Sequence, residues 1–286
     1  MATAALSDDA FAMDSNPAGM AQNPRVQFGS QAGALPLGRD STYLSALAPL
    51  ESGSDWHLGL SWTQYRLADG VEARTKNTPD PDSILAASDN VFQVGFALAL
   101  PGPAPRSLFV GTAFKFVQDY LGDNSSSGFG LDLGFLARLD RGIRAGVVLR
   151  DSYTTATWNS GSSEQAPLAI RAGMSWRPEG WPLCLAAELE KGAAQGPKPR
   201  LGAEWETLEG LAQLRLGFNN GSPCAGLGLR VLKLEHFWAR LDYAATADRA
   251  MDNALDGLGH RVSLSCDYTL PPPPPPERPA RARRRK

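Results

Sequence analysis

Few residues in this chain are of a type and spacing that could do covalent chemistry. There are three histidines, His57, His236 and His260, and none stands in a nucleophile-elbow or zinc-hydrolase frame. Ser263 and Ser265 follow His260 closely, but a polar strand row offers such pairs by chance, so they give no support for a lipase-like nucleophile. Asp248, Asp252 and Asp256 recur every four residues; they fit no EF-hand frame and read as a solvated acidic loop rather than a calcium site. Cys184, Cys224 and Cys266 are scattered without CxxC spacing, which points to ordinary strand residues and to neither a disulfide framework nor a zinc centre. The expectation is a non-enzyme with no catalytic residue, no cofactor and no metal site.

What remains is charge, and it is placed in rows. Arg138, Arg144, Arg150, Arg171, Arg177, Arg215, Arg240 and Arg261 share the polar faces of successive segments with Asp132, Glu188, Glu190, Glu204, Glu206, Asp242 and Asp267. At this density opposite charges are expected to pair across strands, because an unpaired charge in a narrow, partly dry interior is costly. Such an interior is not a plain hydrophobic tunnel.

The elements carrying these rows read as strands. From about residue 55 onward apolar residues alternate with small or polar ones at period two. Trp56, Leu58, Leu60 and Trp62 alternate with His57, Gly59, Ser61 and Thr63, and Val262, Leu264, Cys266, Tyr268 and Leu270 with Arg261, Ser263, Ser265, Asp267 and Thr269. Segments at 128–139, 143–150 and 168–177 repeat the pattern. No run approaches the roughly 18 consecutive apolar residues of a membrane helix. Two weaker strands, 26–34 and 41–50, bring the expected count to about fourteen. Many segments run about ten to twelve residues, which suits a tilted barrel wall better than a soluble sheet.

Connections are expected to alternate in length, as in barrels with short turns on one side and longer loops on the other. The longer ones are placed at 68–89, 121–127, 152–165, 192–197 and 246–258, and tight turns at 51–54, 140–141, 178–180 and 208–209. Residues 101–106 are a somewhat longer member of the short set, and the turn at 219–223 is shorter than its place predicts. A soluble β-sandwich also alternates, but here the polar face carries Arg, Glu, Asp and Gly strand after strand, as a wet lumen would. Trp56, Tyr65, Tyr120, Tyr153, Trp176, Trp181 and Tyr268 lie near strand ends, where interfacial girdles are expected. The fold class is therefore all-β, an antiparallel transmembrane barrel.

Ahead of the first strand lies a helix-compatible run with Asp8, Asp9 and Ala10, closed by Asn16-Pro17-Ala18-Gly19, which must end any helix. The acidic pair followed by Asn-Pro-Ala-Gly resembles the amino-terminal signature of the FadL and PorV/PorQ group of outer-membrane barrels. Gly128 to Phe135, the Gly226-Leu-Gly228 region, Asp242-Tyr-Ala244 and residues 259–264 extend the resemblance over most of the chain and favour the PorV/PorQ branch. The resemblance implies a fourteen-stranded barrel in a bacterial outer membrane, residues 1–25 folded into the lumen as a plug or hatch, residues 26–270 as the wall, and both chain ends periplasmic. It implies either an uptake channel for hydrophobic or amphipathic small molecules, gated by the segment around Asp8, Asp9, Asn16, Pro17, Ala18 and Gly19, or a non-transporting accessory barrel holding a secretion partner. Membrane lipids are expected partners in both cases. The first residues carry neither a basic nor an apolar run, so export is expected to rely on a leader not visible in this chain.

Residues 271–286 read as a separate tail. Six prolines predict a stiff spacer of roughly 19 Å at about 3.1 Å per residue, followed by a basic run containing Arg281, Arg283, Arg284, Arg285 and Lys286. Against a formal net charge of −2 for the whole chain, a tail near +5 leaves about −7 elsewhere, so charge is segregated. A periplasmic tail of this kind suits a cell-wall polymer, an anionic membrane surface or an acidic partner, and not nucleic acid.

Overall fold

The computed structural model describes residues 4–77, 79–102, 104, 107–193, 196–247 and 257–271. Fourteen antiparallel strands close into one barrel. They are β1 (Val26–Leu35), β2 (Arg39–Pro49), β3 (Trp56–Leu67), β4 (Ala87–Leu100), β5 (Leu108–Leu121), β6 (Asn124–Arg138) and β7 (Ile143–Trp158). β8 (Ala169–Trp176), β9 (Leu183–Gly192), β10 (Lys198–Thr207), β11 (Ala212–Asn219), β12 (Ser222–Lys233), β13 (Phe237–Ala247) and β14 (Leu258–Tyr268) complete the wall. Each strand pairs with its sequence neighbours, and β1 pairs with β14, from Val26 opposite Tyr268 to Ala34 opposite His260. Closure matters because a sheet edge in hydrocarbon would leave backbone donors and acceptors without partners.

The alternation along each strand is inverted relative to a water-soluble protein. Leu60, Phe114, Phe129, Met174, Leu201, Leu216 and Val262 are exposed, while His57, Gln93, Lys115, Asp132, Glu188 and Asp267 are buried. Apolar rows face outward and polar rows inward, which is stable only where the outside is lipid. Shallow apolar grooves on the outer face, one floored by Ala187 and Ala203 between Met174, Trp176, Leu201 and Phe218, are places for acyl chains. An arginine in place of Leu216, at the middle of β11, is expected to destabilise the barrel by about 2–4 kcal/mol, as at other bilayer midplanes; denaturant-dependent refolding into phospholipid vesicles measures this directly.

The turns explain where the expected loop pattern changes. Residues 121–127, read above as a longer loop, form a two-residue turn with Gly122 at φ +57°, and β6 resumes at Asn124. Much of 152–165 is likewise strand, since β7 runs on to Trp158 and Ser163–Gln165 pairs back onto it. Both stretches are polar because these strands outrun the apolar belt, and beyond it outward side chains meet headgroups and water. The Asn220-Gly221 connection is short because both residues take positive φ, 51° and 88°, the backbone of a tight hairpin turn. Trp56, Trp176 and Tyr268 lie outward near the end that carries both termini of the wall, and Tyr120 and Tyr153 toward the other. Tyr65 departs from the expected girdle: it shares the inward row of Ser61 and Thr63 and sits at the mouth of the lumen.

Candidate functional site

The candidate site is the lumen, whose contents begin with the chain itself. Residues 4–22 lie inside the wall, with Ala4, Ala10, Ala12, Met13, Asn16, Ala18, Met20 and Ala21 buried. A short helix, Ala12–Ser15, runs into a 3₁₀ helix, Pro17–Gln22.

Each residue of the Asn-Pro-Ala-Gly motif has a physical role in this path. The Asn16 amide donates to the Ala4 carbonyl at 2.7 Å and to the Phe135 carbonyl on β6 at 3.1 Å, and its oxygen accepts the Ala18 N–H at 3.1 Å. Pro17 opens the 3₁₀ helix where its missing N–H costs nothing. Gly19 passes so close to Ser7 that an added Cβ would lie 2.0 Å from the Ser7 carbonyl oxygen. Gln22 then donates to the Ser7 carbonyl at 2.7 Å and accepts from Arg138, whose guanidinium lies over the Phe109 ring.

The wall beneath the segment is built from inward-facing glycines. Gly59 is paired across strands with Gly95, Gly111 with Gly134, and Gly146 with Gly173. A Cβ at Gly111 would come within 2.4 Å of the Ala18 nitrogen, at Gly134 within 2.2 Å of Asn16 Oδ1, and at Gly146 within 2.1 Å of the Ala4 carbonyl oxygen. Leu47, Ala97, Ala99, Phe109, Ala113, Leu136 and Val148 add buried apolar residues to this inner face, among polar ones such as Ser45, His57, Gln93 and Lys115. The sequence reading took glycine in the inward rows as the mark of a wet lumen. In fact it makes room for the packed segment. Its signal was recurrence of glycine at inward parity on strands β3 to β8.

Ion pairs run around the inner wall, beneath the segment as well as across from it. Glu188, fully buried, is paired with Arg171 at 3.2 Å and Arg200 at 2.6 Å and accepts the Ala4 N–H at 2.7 Å. Asp132 pairs with Lys115 at 2.7 Å, beside Arg150, where a bulge interrupts the β6–β7 pairing and Asp151 takes φ +51°. Arg215 bridges Glu204 and Asp242. Acidic residues of the segment meet arginines of the wall: Asp8 with Arg144 at 2.8 Å, Asp14 with Arg150 at 3.3 Å, and Asp9 with Arg240 at 3.6 Å. Of the charged residues expected to form a luminal network, Arg261 faces inward but has no ion-pair partner among the described residues. Asp248, Asp252, Asp256 and the basic tail from Arg281 to Lys286 lie outside the described residues. His260 points outward to the Tyr243 hydroxyl, at 2.6 Å, while Ser263 and Ser265 point inward, so the strand's pleat separates them.

Asp9 titrates unusually. Its side chain is 40% exposed, but to a lumen enclosed by the wall rather than to bulk water. Burial pushes its carboxyl up to about 6, opposed by Arg240 and reinforced by Asp8. A carboxyl raised in the docked state holds its proton more tightly there than when released, so docking strengthens as pH falls through about 6 toward the ordinary value of 3.8. Residues 4–22 are therefore expected to resist proteolysis better at pH 5 than at pH 7.5, and Asp9→Asn to remove that difference.

A closed fourteen-stranded wall with apolar outward rows and a polar, chain-filled lumen defines a transmembrane β-barrel. No protein-family model and no curated protein sequence matches the chain. Among solved structures it is similar to the toluene transporter TodX of Pseudomonas putida, with a TM-score of 0.61 at 12% identity over 91% of this chain and 93% of that one. It is also similar to the toluene transporter TbuX of Ralstonia pickettii (TM-score 0.59, 13% identity, 93% and 94% covered). A FadL homologue of Pseudomonas aeruginosa gives 0.58 at 8% identity, with 94% and 96% covered. These likenesses show a shared barrel fold and carry nothing specific to PorV or PorQ.

Proposed function

We propose that this protein is a bacterial outer-membrane channel for small hydrophobic or amphipathic molecules, in which residues 4–22 act as a movable plug. The observation that carries this reading is the apolar cluster in the lumen. Leu47, Ala97, Phe109, Ala113 and Leu136, with the paired glycines between them, pack in one buried cluster with Ala12, Met13, Ala18, Met20 and Ala21 of the N-terminal segment. Release of the segment uncovers a continuous apolar track on the inner wall. Its ion-pair tethers through Asp8, Asp9 and Asp14 are partly exposed, so each holds the segment weakly, and release must break in addition the buried bonds of Ala4, Ala10 and Asn16 to the wall. The fold shared with toluene transporters supports the same class of permeant.

The test compares the intact protein with one lacking residues 1–22 in proteoliposomes, following uptake of a labelled monoaromatic hydrocarbon and a labelled medium-chain fatty acid. Faster uptake of either on deletion is the expected result. Equal rates for both permeants would remove the gating role.

A further inference from the structure

The side of the lumen lined by β10 to β13 differs from the side on which the segment packs. The hydrogen bonds, ion pairs and close glycine contacts of residues 4–22 fall on β1 to β9, through Gly29, Ser45, Gly59, Gly95 and Gly173 besides those above, and on Arg240 of β13; among the described residues none reaches β10, β11 or β12. Along this side, charges from the end of β8 and from β10, β11 and β13 form a ribbon of alternating sign. Glu206 and Glu204 hold Arg177 at 3.5 and 2.8 Å, Glu204 holds Arg215 at 2.9 Å, Arg215 reaches Asp242, and Asp242 holds Arg240 at 2.8 Å. The ribbon ends on Asp9 of the segment. Exposure falls along the ribbon: Arg177 and Glu206 at its outer end are 39% and 34% exposed, and Glu204, Arg215, Arg240 and Asp242 farther in keep between 11% and 20%. By contrast, Phe109 and Ala113 across the lumen are at most 1% exposed. Gln213 accepts from both Arg215 and Arg240, and donors and lone pairs that these contacts leave over, where they keep access inside the barrel, are hydrated. The glycines on this side, Gly226 and Gly228, would set a Cβ against atoms of β11 and β13 and not against the segment.

We propose that the arc between the segment and strands β10 to β13 is a standing hydrophilic conduit, permeable to small inorganic ions while residues 4–22 remain docked. It is a second path, separate from the apolar track that the segment covers. Since arginines and carboxylates alternate along it in nearly equal number, the conduit discriminates little between cations and anions.

The experiment is current recording from the full chain, refolded and inserted into planar phospholipid bilayers in potassium chloride. A small steady conductance with a reversal potential near zero under a salt gradient is expected, persisting at pH 5 where the segment is held. Arg215→Gln, which leaves Glu204 and Asp242 in excess, is expected to turn the path cation-selective by about threefold. Gly226→Trp, a replacement within the arc that does not touch the segment, is expected to lower the conductance several-fold; heat-modifiable gel mobility confirms that the barrel is folded. An intact protein without conductance, beside a variant lacking residues 1–22 that conducts, would show that the segment seals the whole lumen and would overturn the conduit. Silence in both overturns the conduit, while the channel reading stands or falls on the hydrocarbon and fatty-acid uptake described above. Conductance that is equal in both supports the conduit and removes only the plug.

Discussion

A leucine in place of Gly111 is expected to drive residues 4–22 off the inner wall while leaving the barrel closed. The glycine sits on β5 opposite Gly134, and a Cβ alone would lie 2.4 Å from the Ala18 nitrogen and the Pro17 carbonyl carbon. Those atoms belong to backbone held by Asn16, so they cannot yield as the tip of a side chain would. Overpacking of this kind costs about 1–3 kcal/mol or more, enough to raise the undocked population roughly 5- to 150-fold. The wall itself has no reason to fail, since its strand pairing and outward rows are untouched. The measurement is protease cleavage within residues 4–22 in detergent-solubilised protein, with gel mobility reporting the barrel. Cleavage as slow as in the parent protein would show that the segment tolerates the side chain. Gly161→Leu, in an outer turn with open space around it, is a control for leucine at a glycine, although its φ of +88° makes some local strain unavoidable.

The second large effect is expected at Asp132. It is buried against Lys115, which is itself 7% exposed, and it also accepts the Asp151 N–H at 2.8 Å across the β6–β7 bulge. Asp132→Ala leaves the Lys115 ammonium inside the wall with Asp151 as its remaining partner. Breaking one side of a buried pair costs about 3–5 kcal/mol, and here the bulge loses an anchor as well. The expected result is a barrel that unfolds at clearly lower denaturant concentration. The double variant Asp132→Ala, Lys115→Met should recover part of the loss, because it removes the stranded charge. Failure of the double variant to recover stability would show that the bulge hydrogen bond, and not the ion pair, carries the effect.

Both predictions turn on inward-facing residues, and the two were unequally legible in the sequence. Period-two alternation made Asp132 an inward charge, and the density of charges around it required pairing. Its partner was not legible. Lys115 lies on a neighbouring strand at a register that only the closed sheet sets, and the bulge at Asp151 shifts the pairing by an amount no local pattern records. Gly111 lay in an inward row, yet glycine there carries no sign of what approaches it.

The sequence by itself determined the wall. Alternation of apolar and polar residues is a local property, and burial in lipid acts on each strand separately, so strand number and outward parity followed from composition along the chain. It also marked residues 6–21 as something other than a strand. Only the tertiary structure decided what the lumen is. The segment's resting place depends on a surface assembled from many strands far apart in sequence, and close packing against backbone is possible only where glycines from neighbouring strands coincide. The charged interior expected as one open network is therefore partly filled: the segment packs on glycine and apolar residues of β3 to β7 and joins the ion pairs of the wall through Asp8, Asp9 and Asp14.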